Sequence, residues 1–249
     1  MRYIHMERKS ILYMKTLWVL MLMVSPCAAE AQGETPSIRP TAVYTTIDGE
    51  QEESTQFSGS APLKGSFTAN PENEGGWSAT YEWRFRLEGE EEDYLTRYEQ
   101  DTEYTFTQAG SHSIRLYATF VQGNDTVSYT DEYWAGQEPL RVTISESSLK
   151  MPNAFSPNGD DRNDIYKAKK GWQSLVEFKA TIYNRWGQKL FEWTDPNEGW
   201  DGTYHGHPVK EGVYFVVVNA KGADGVDYHI RRDVNLLRGY TETENMTGN

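Results

Sequence analysis

The sequence predicts an all-β protein, two antiparallel β-sandwich domains in tandem behind a removable N-terminal segment. Three observations carry this. Apolar and polar residues alternate in run after run, the period of a half-buried strand. Clusters of glycine, proline, asparagine and aspartate punctuate the runs. No stretch shows a helical period. The 249 residues suffice for two small domains and one cleaved segment. The net charge of −13 excludes a nucleic-acid binder, because no basic stripe is present to displace phosphate counterions.

Residues 1–31 read as a secretory signal peptide. Arg2, Arg8, Lys9 and Lys15 form a basic stretch, and Leu17 to Val24 form a short apolar core. Ala29-Glu-Ala31 has the small-x-small form of a cleavage site. The apolar run falls well short of the roughly 20 residues that span a bilayer. Met6 and Met14 are alternative starts. Cleavage after Ala31 takes four of the 24 basic and two of the 37 acidic residues, leaving a charge of −15. It also removes Cys27, the only cysteine, so the exported chain has no disulfide and depends on its cores. The rival reading makes Cys27 a lipidation site, against which Pro26 stands where a small residue is wanted.

Residues 32–40 read as a short tether. The first domain, 41–146, is predicted from three alternating sets. Tyr81, Trp83, Phe85 and Leu87 form one; Ile114, Leu116, Ala118 and Phe120 a second; Leu140, Val142 and Ile144 a third. Short strands with regular turn punctuation suggest an immunoglobulin-like sandwich. Trp77, Trp83 and Trp134 are read as core and rim packing, with a sugar-binding face as the alternative. The acidic runs Glu50 to Glu53 and Glu88 to Asp93 read as solvated loops that protect strand edges, with a cation site as the alternative.

Glu146 to Lys150 is a short connection without glycine or proline, which predicts two domains joined closely. The second domain, 151–238, opens on Pro152 to Asp164. Asn158, Asp160, Asn163 and Asp164 are a candidate Ca²⁺ site, because hard cations take clustered carboxylate and amide oxygens. The alternative is a turn whose side chains satisfy local backbone N–H groups. Val176, Phe178, Ala180 and Ile182 alternate as a strand, and Val213 to Val218 is apolar enough for a central one. Tyr228, Ile230, Arg232, Val234 and Leu236 trace the last. Trp186 and Trp200 are read as closing the ends of a small core. Residues 239–249 are polar and read as a disordered tail.

The sequence predicts no enzyme. There is no nucleophile elbow, no phosphate loop and no catalytic cysteine. His205 and His207, near Asp201, read as a solvent-exposed pair, with zinc as the sharper alternative. Nothing selects a carboxylate pair for glycoside hydrolysis.

Two resemblances add to this. Phe67 to Ala69, Tyr81-Glu-Trp-Arg-Phe85, Tyr104-Thr-Phe106, Gly110 and Ser113 to Leu116 together resemble a PKD domain, with Leu87 to Asp93 replacing the usual Gly-Asp-Gly. Pro152 to Asp164, Tyr183-Asn-Arg-Trp-Gly187, Gly199-Trp-Asp-Gly-Thr-Tyr204, Glu211-Gly-Val-Tyr214 and Asp233 to Arg238 resemble the gliding-motility-associated C-terminal domain of Bacteroidetes proteins, the type B sorting domain of the type IX secretion system. That resemblance implies a compact antiparallel sandwich, export to the cell surface or beyond with outer-membrane association, and two partners: the type IX translocon and a PorP/SprF-type outer-membrane protein. The PKD-like module would space, or would bind a surface ligand or glycan. The alternatives are a fixed component of the secretion or gliding apparatus, and a carbohydrate-related accessory or enzyme.

Overall fold

In a computed structural model the chain is described from Glu34 to Gly239. The signal-peptide reading of 1–31, Cys27 and the tail beyond Gly239 lie outside the described residues. The regular elements of the described part are β-strands apart from a single turn of helix, as the alternation predicts.

The first sandwich is built from β1 (Thr41–Thr45), β2 (Gln51–Glu53), β3 (Gln56–Gly59), β4 (Leu63–Thr68), β5 (Ser78–Leu87), β6 (Leu95–Arg97), β7 (Thr102–Phe106), β8 (Gly110–Gln122), β9 (Asp125–Tyr129) and β10 (Leu140–Ile144). One sheet has the order β2-β1-β4-β7 and the other β3-β10-β8-β5-β6, with β9 paired to β8. The chain crosses between the sheets at β2–β3, β3–β4, β4–β5, β6–β7 and β7–β8, as in immunoglobulin-type sandwiches. The pairing of β3 with β10 is parallel. Along β5, Tyr81, Trp83 and Phe85 point inward, and along β8 Ile114, Leu116 and Phe120 meet them. An aromatic cluster fills the space. Phe67 lies edge-on to Tyr44, Phe85 and Phe106, with centroids 5.3–6.3 Å apart, the geometry the ring quadrupoles favour.

Two sequence readings are corrected here. Residues 34–40 are not a tether. Ser37 exchanges two backbone bonds with Glu72, Ile38 is buried in the core, and the Tyr129 hydroxyl donates to the Pro36 carbonyl. A one-turn helix, α1 (Asp131–Trp134), also breaks the otherwise helix-free reading. Four residues are too few to show a period. Its function is to bury Trp134, whose indole N–H donates to the Leu116 carbonyl at 2.9 Å. With Trp83 also fully buried and bonded to the Gln100 carbonyl, these two tryptophans offer no sugar-binding face.

The second core belongs to a five-stranded sheet. Its strands are β11 (Ala154–Phe155), β12 (Leu175–Tyr183), β13 (Lys189–Trp193), β16 (Gly212–Gly222) and β17 (Asp227–Leu236), in the order β11-β17-β16-β12-β13. The short strands β14 (Thr203–Tyr204) and β15 (His207–Pro208) form a separate ribbon. The second layer over the sheet is mostly irregular chain, pinned by large aromatics. Tyr166 and Trp200 are fully buried and exchange backbone bonds with each other. The Tyr166 hydroxyl donates to the Pro152 carbonyl, and the Trp200 indole to the Thr203 carbonyl at 2.7 Å. Gly199 is required beside them, because a Cβ there would run into the Tyr166 carbonyl oxygen. β16 is central in hydrogen bonding, as its apolar run predicts. Only one of its faces is covered, though: Tyr214, Val216 and Val218 are buried while Val213 and Phe215 are exposed.

The connection Glu146 to Lys150 is bonded rather than loose. Ser147 donates its N–H and its hydroxyl to the Asp224 carboxylate at 2.8 and 2.7 Å, and its oxygen lies 2.9 Å from the Tyr228 hydroxyl. Ser174, fully buried, sits 2.8 Å from the Ser145 hydroxyl and accepts from the Ala61 N–H. The Ala109 N–H donates to the Ala223 carbonyl, and Ala223 packs into the first core.

Candidate functional site

The Asx-rich opening of the second sheet, proposed above as a cation site, comes together as one turn. Asp164 Oδ1 accepts from the N–H groups of Asn158 and Gly159, and Oδ2 from that of Asp161, all at 2.8 Å. Asn158 Oδ1 accepts from the Asp160 N–H and Asp160 Oδ1 from the Arg162 N–H, while Asn158 Nδ2 reaches Asp160 Oδ2. Asn163 contributes its backbone: its carbonyl accepts from Ser156, and its φ is +53°. These oxygens are engaged with amide hydrogens. The amide bonds, that from Gly159 foremost, hold the Asp164 carboxyl below the usual aspartate value.

His205 and His207 belong to the β14–β15 ribbon. Tyr204 pairs with His207, leaving His205 and Gly206 as a two-residue turn with φ of +50° and +76°. Positive φ at both central residues is the type I′ geometry that suits a tight hairpin. Asp201 is committed to the N–H and hydroxyl of Thr203. Among the described residues no group of three or more His, Cys, Asp or Glu side chains is placed to hold a metal ion.

The arrangement with the character of a recognition site lies beside these turns, at the end of the sheet where β12 turns into β13 and β16 begins, where the sequence reading placed only structural residues. Trp186 was expected to close the core; it is 77% exposed. The cause is the turn from β12 into β13. Asn184 Oδ1 accepts from the N–H groups of both Trp186 and Gln188 at 3.0 Å, its Nδ2 donates to Gln188 Oε1, and its backbone bonds Gln188 and Gly187. With Asn184 bonded inward, the two residues that follow project into solvent. The Arg185 guanidinium lies 4.5 Å from the Trp186 ring centroid, covering one face of the indole by a cation–π contact.

Trp186 overhangs a groove of about 620 Å³ between this turn and the segment 209–212. Leu190, Val209, Tyr214, Val213 and Phe215 supply its apolar lining, and Arg185, Lys210 and Glu211 its charges. Both walls are fixed. The first is tied to β14 by Gln188, which donates to the Tyr204 hydroxyl. The second is held by Arg238, whose guanidinium donates to the carbonyls of Pro157, Gly202 and Val209 at 2.9–3.2 Å. The Tyr214 hydroxyl adds a bond to the Lys210 carbonyl at 2.7 Å. The Glu211 carboxylate accepts from the backbone N–H groups of Arg238 and Gly239. A rigid, half-apolar groove with an exposed tryptophan and arginine has the composition of a protein-docking surface. The signal that could have found it is the run Asn184-Arg-Trp-Gly187: a tryptophan inside a tight turn cannot reach a core.

No curated protein matches the chain. Among solved structures, the chain is similar to the dimeric latent PorU of Porphyromonas gingivalis at 12% identity and a TM-score of 0.25. That match covers 83% of this chain and spans 20% of the PorU chain. Residues 149–229, which include both walls of the groove, match the family model of the CHU_C type IX secretion signal domain.

Proposed function

We propose that the protein is a non-enzymatic exported protein of the cell surface, and that the sheet beginning near Leu149 is its type IX sorting address. The observation that carries this is the match of residues 149–229 to the type IX secretion signal domain. The groove supports it, because a folded domain must be recognised through a fixed surface, and this one is held on both walls by hydrogen bonds. In this reading a signal peptide over residues 1–31 directs passage through the inner membrane, and the translocon with a PorP/SprF-type outer-membrane protein handles the folded sheet. The first sandwich, read as a PKD-like module, spaces or binds and does no chemistry.

The bonded junction favours a second reading. Ser147, Ser174 and Ala223 tie the two sandwiches together, as would suit a fixed component of the surface apparatus. Surface protease accessibility of the full chain in intact cells, with and without a working type IX translocon, separates the two. Cargo is shaved only when the translocon works. A docking component stays membrane-associated and protected in both strains, which would overturn the first reading.

A further inference from the structure

Resting on that reading, we infer that the Trp186 groove is the surface on which the sorting address is gripped, and that its occupant is an extended acidic segment of the export machinery carrying aromatic or aliphatic side chains between carboxylates. Three observations point to this occupant.

The first is the exposure of apolar area in one place. Trp186 (77%), Val213 (49%) and Phe215 (44%) stand together along one groove, whereas other exposed large apolar side chains, such as Ile47, Tyr98 and Val226, lie outside it. Exposed tryptophan beside arginine is the composition that dominates binding energy at protein interfaces. The Arg185 contact covers one side of the indole, so the ring is already oriented before a partner arrives, which lowers the ordering cost of binding.

The second is charge. The protein carries −13 overall, yet the groove is lined by Arg185 and Lys210 against Glu211 alone. The Glu211 carboxylate is already bonded to two backbone N–H groups. On the adjoining β17, Arg231 and Asp233, which pair with Val217 and Phe215, offset each other. The groove is therefore a cationic spot on an acidic molecule. It favours a negatively charged partner and disfavours a second acidic copy of this chain.

The third is shape. The groove runs between two chain segments beside the edge strand β13, and an extended peptide suits such a channel.

The test uses the full chain in cells with a working type IX translocon, reading the fraction shaved by external protease. Trp186→Ala, and Arg185→Glu combined with Lys210→Glu, are expected to lower surface delivery about tenfold. Arg185→Lys with Lys210→Arg keeps the charges and is expected to deliver normally. The purified variants should keep the wild-type urea midpoint, because the altered side chains are outside both cores. Delivery of Trp186→Ala and of the charge reversal at the wild-type level overturns the groove proposal and leaves the sorting reading standing. Wild-type protein that reaches the surface equally without the translocon overturns the sorting reading itself, and the proposal with it.

An independent probe is a labelled synthetic peptide of alternating phenylalanine and glutamate, set against one of alternating phenylalanine and lysine. Purified full-length protein should bind the acidic peptide about tenfold tighter or more, and lose it with Trp186→Ala and with added salt. Equal binding of both peptides overturns the proposal. So does a dimer that Trp186→Ala dissolves, which would give the groove to a second copy. Tighter peptide binding after removal of residues 240–249 also overturns it, by giving the groove to the chain's own tail.

Discussion

Two tryptophans fourteen residues apart, Trp186 and Trp200, show how position in the fold decides what a residue does. Trp200 is fully buried with its indole N–H satisfied by Thr203. Trp200→Ala leaves a cavity and an unpaired carbonyl and should cost about 3–5 kcal/mol, read as a fall in the urea midpoint. Trp186→Ala should change stability by less than about 0.5 kcal/mol. If Trp186→Ala unfolds the protein, the indole is structural and the groove argument fails. His112 makes a different prediction. It is almost wholly buried, with Nε2 2.9 Å from the Gln108 carbonyl and Nδ1 3.0 Å from the Tyr94 hydroxyl. A carbonyl only accepts, so Nε2 carries the proton and Nδ1 accepts from the tyrosine. Burial pushes the imidazole below its ordinary value. The unfolded chain then binds the proton more readily, so stability is full above the ordinary histidine value and falls as the pH drops below about 6.5. Urea midpoints between about pH 7.5 and 5.5 should show this slope, and His112→Gln should flatten it. An unchanged slope would place its source elsewhere.

At the level of elements, much was legible because a half-buried strand writes its period into the sequence. The alternation of β5, β8 and β10 and the inward set of β17 follow directly from it. Segments without a period were misread. The stretch 34–40 carries one core residue, Ile38, among polar ones, so it looked like a tether. α1 is too short to repeat. The exposed face of β16 was hidden because Val213 and Phe215 are apolar like the buried residues between which they alternate; an apolar run cannot report that one face is open. The Pro152 to Asp164 segment was legible as a turn rich in side-chain oxygens, while the partners of those oxygens were not. Because Asp164 accepts three amide N–H bonds, a chelator should leave the thermal midpoint unchanged. A lowered midpoint would put a cation in that turn. The same bonds depress the Asp164 carboxyl, so they persist above the ordinary aspartate range and are lost as the pH falls through the folded-state value. An NMR titration of the Gly159 amide should therefore show its midpoint below that of an unperturbed aspartate.

For the whole molecule, the junction decides whether the two sandwiches act as one body. Asp224 holds Ser147 by two bonds and the Val226 N–H by a third. Burial alone would raise its carboxyl, but these bonds hold it below the usual range. Asp224→Ala should loosen the connection, seen as faster cleavage by protease within residues 145–150 of the purified chain, while the two cores keep their own stability. Unchanged cleavage would assign the rigidity to Ser174 and Ala223 instead. The central claim concerns the address itself, and the most direct measurement gives it to a different passenger. A periplasmic reporter is fused ahead of residues 34–249, or ahead of residues 34–146 as control, and its exposure to external protease is read with and without a working type IX translocon. The account expects the reporter at the surface only with the longer fusion and only when the translocon works. A reporter retained in the periplasm in both strains, or one that the shorter fusion delivers equally well, would contradict it.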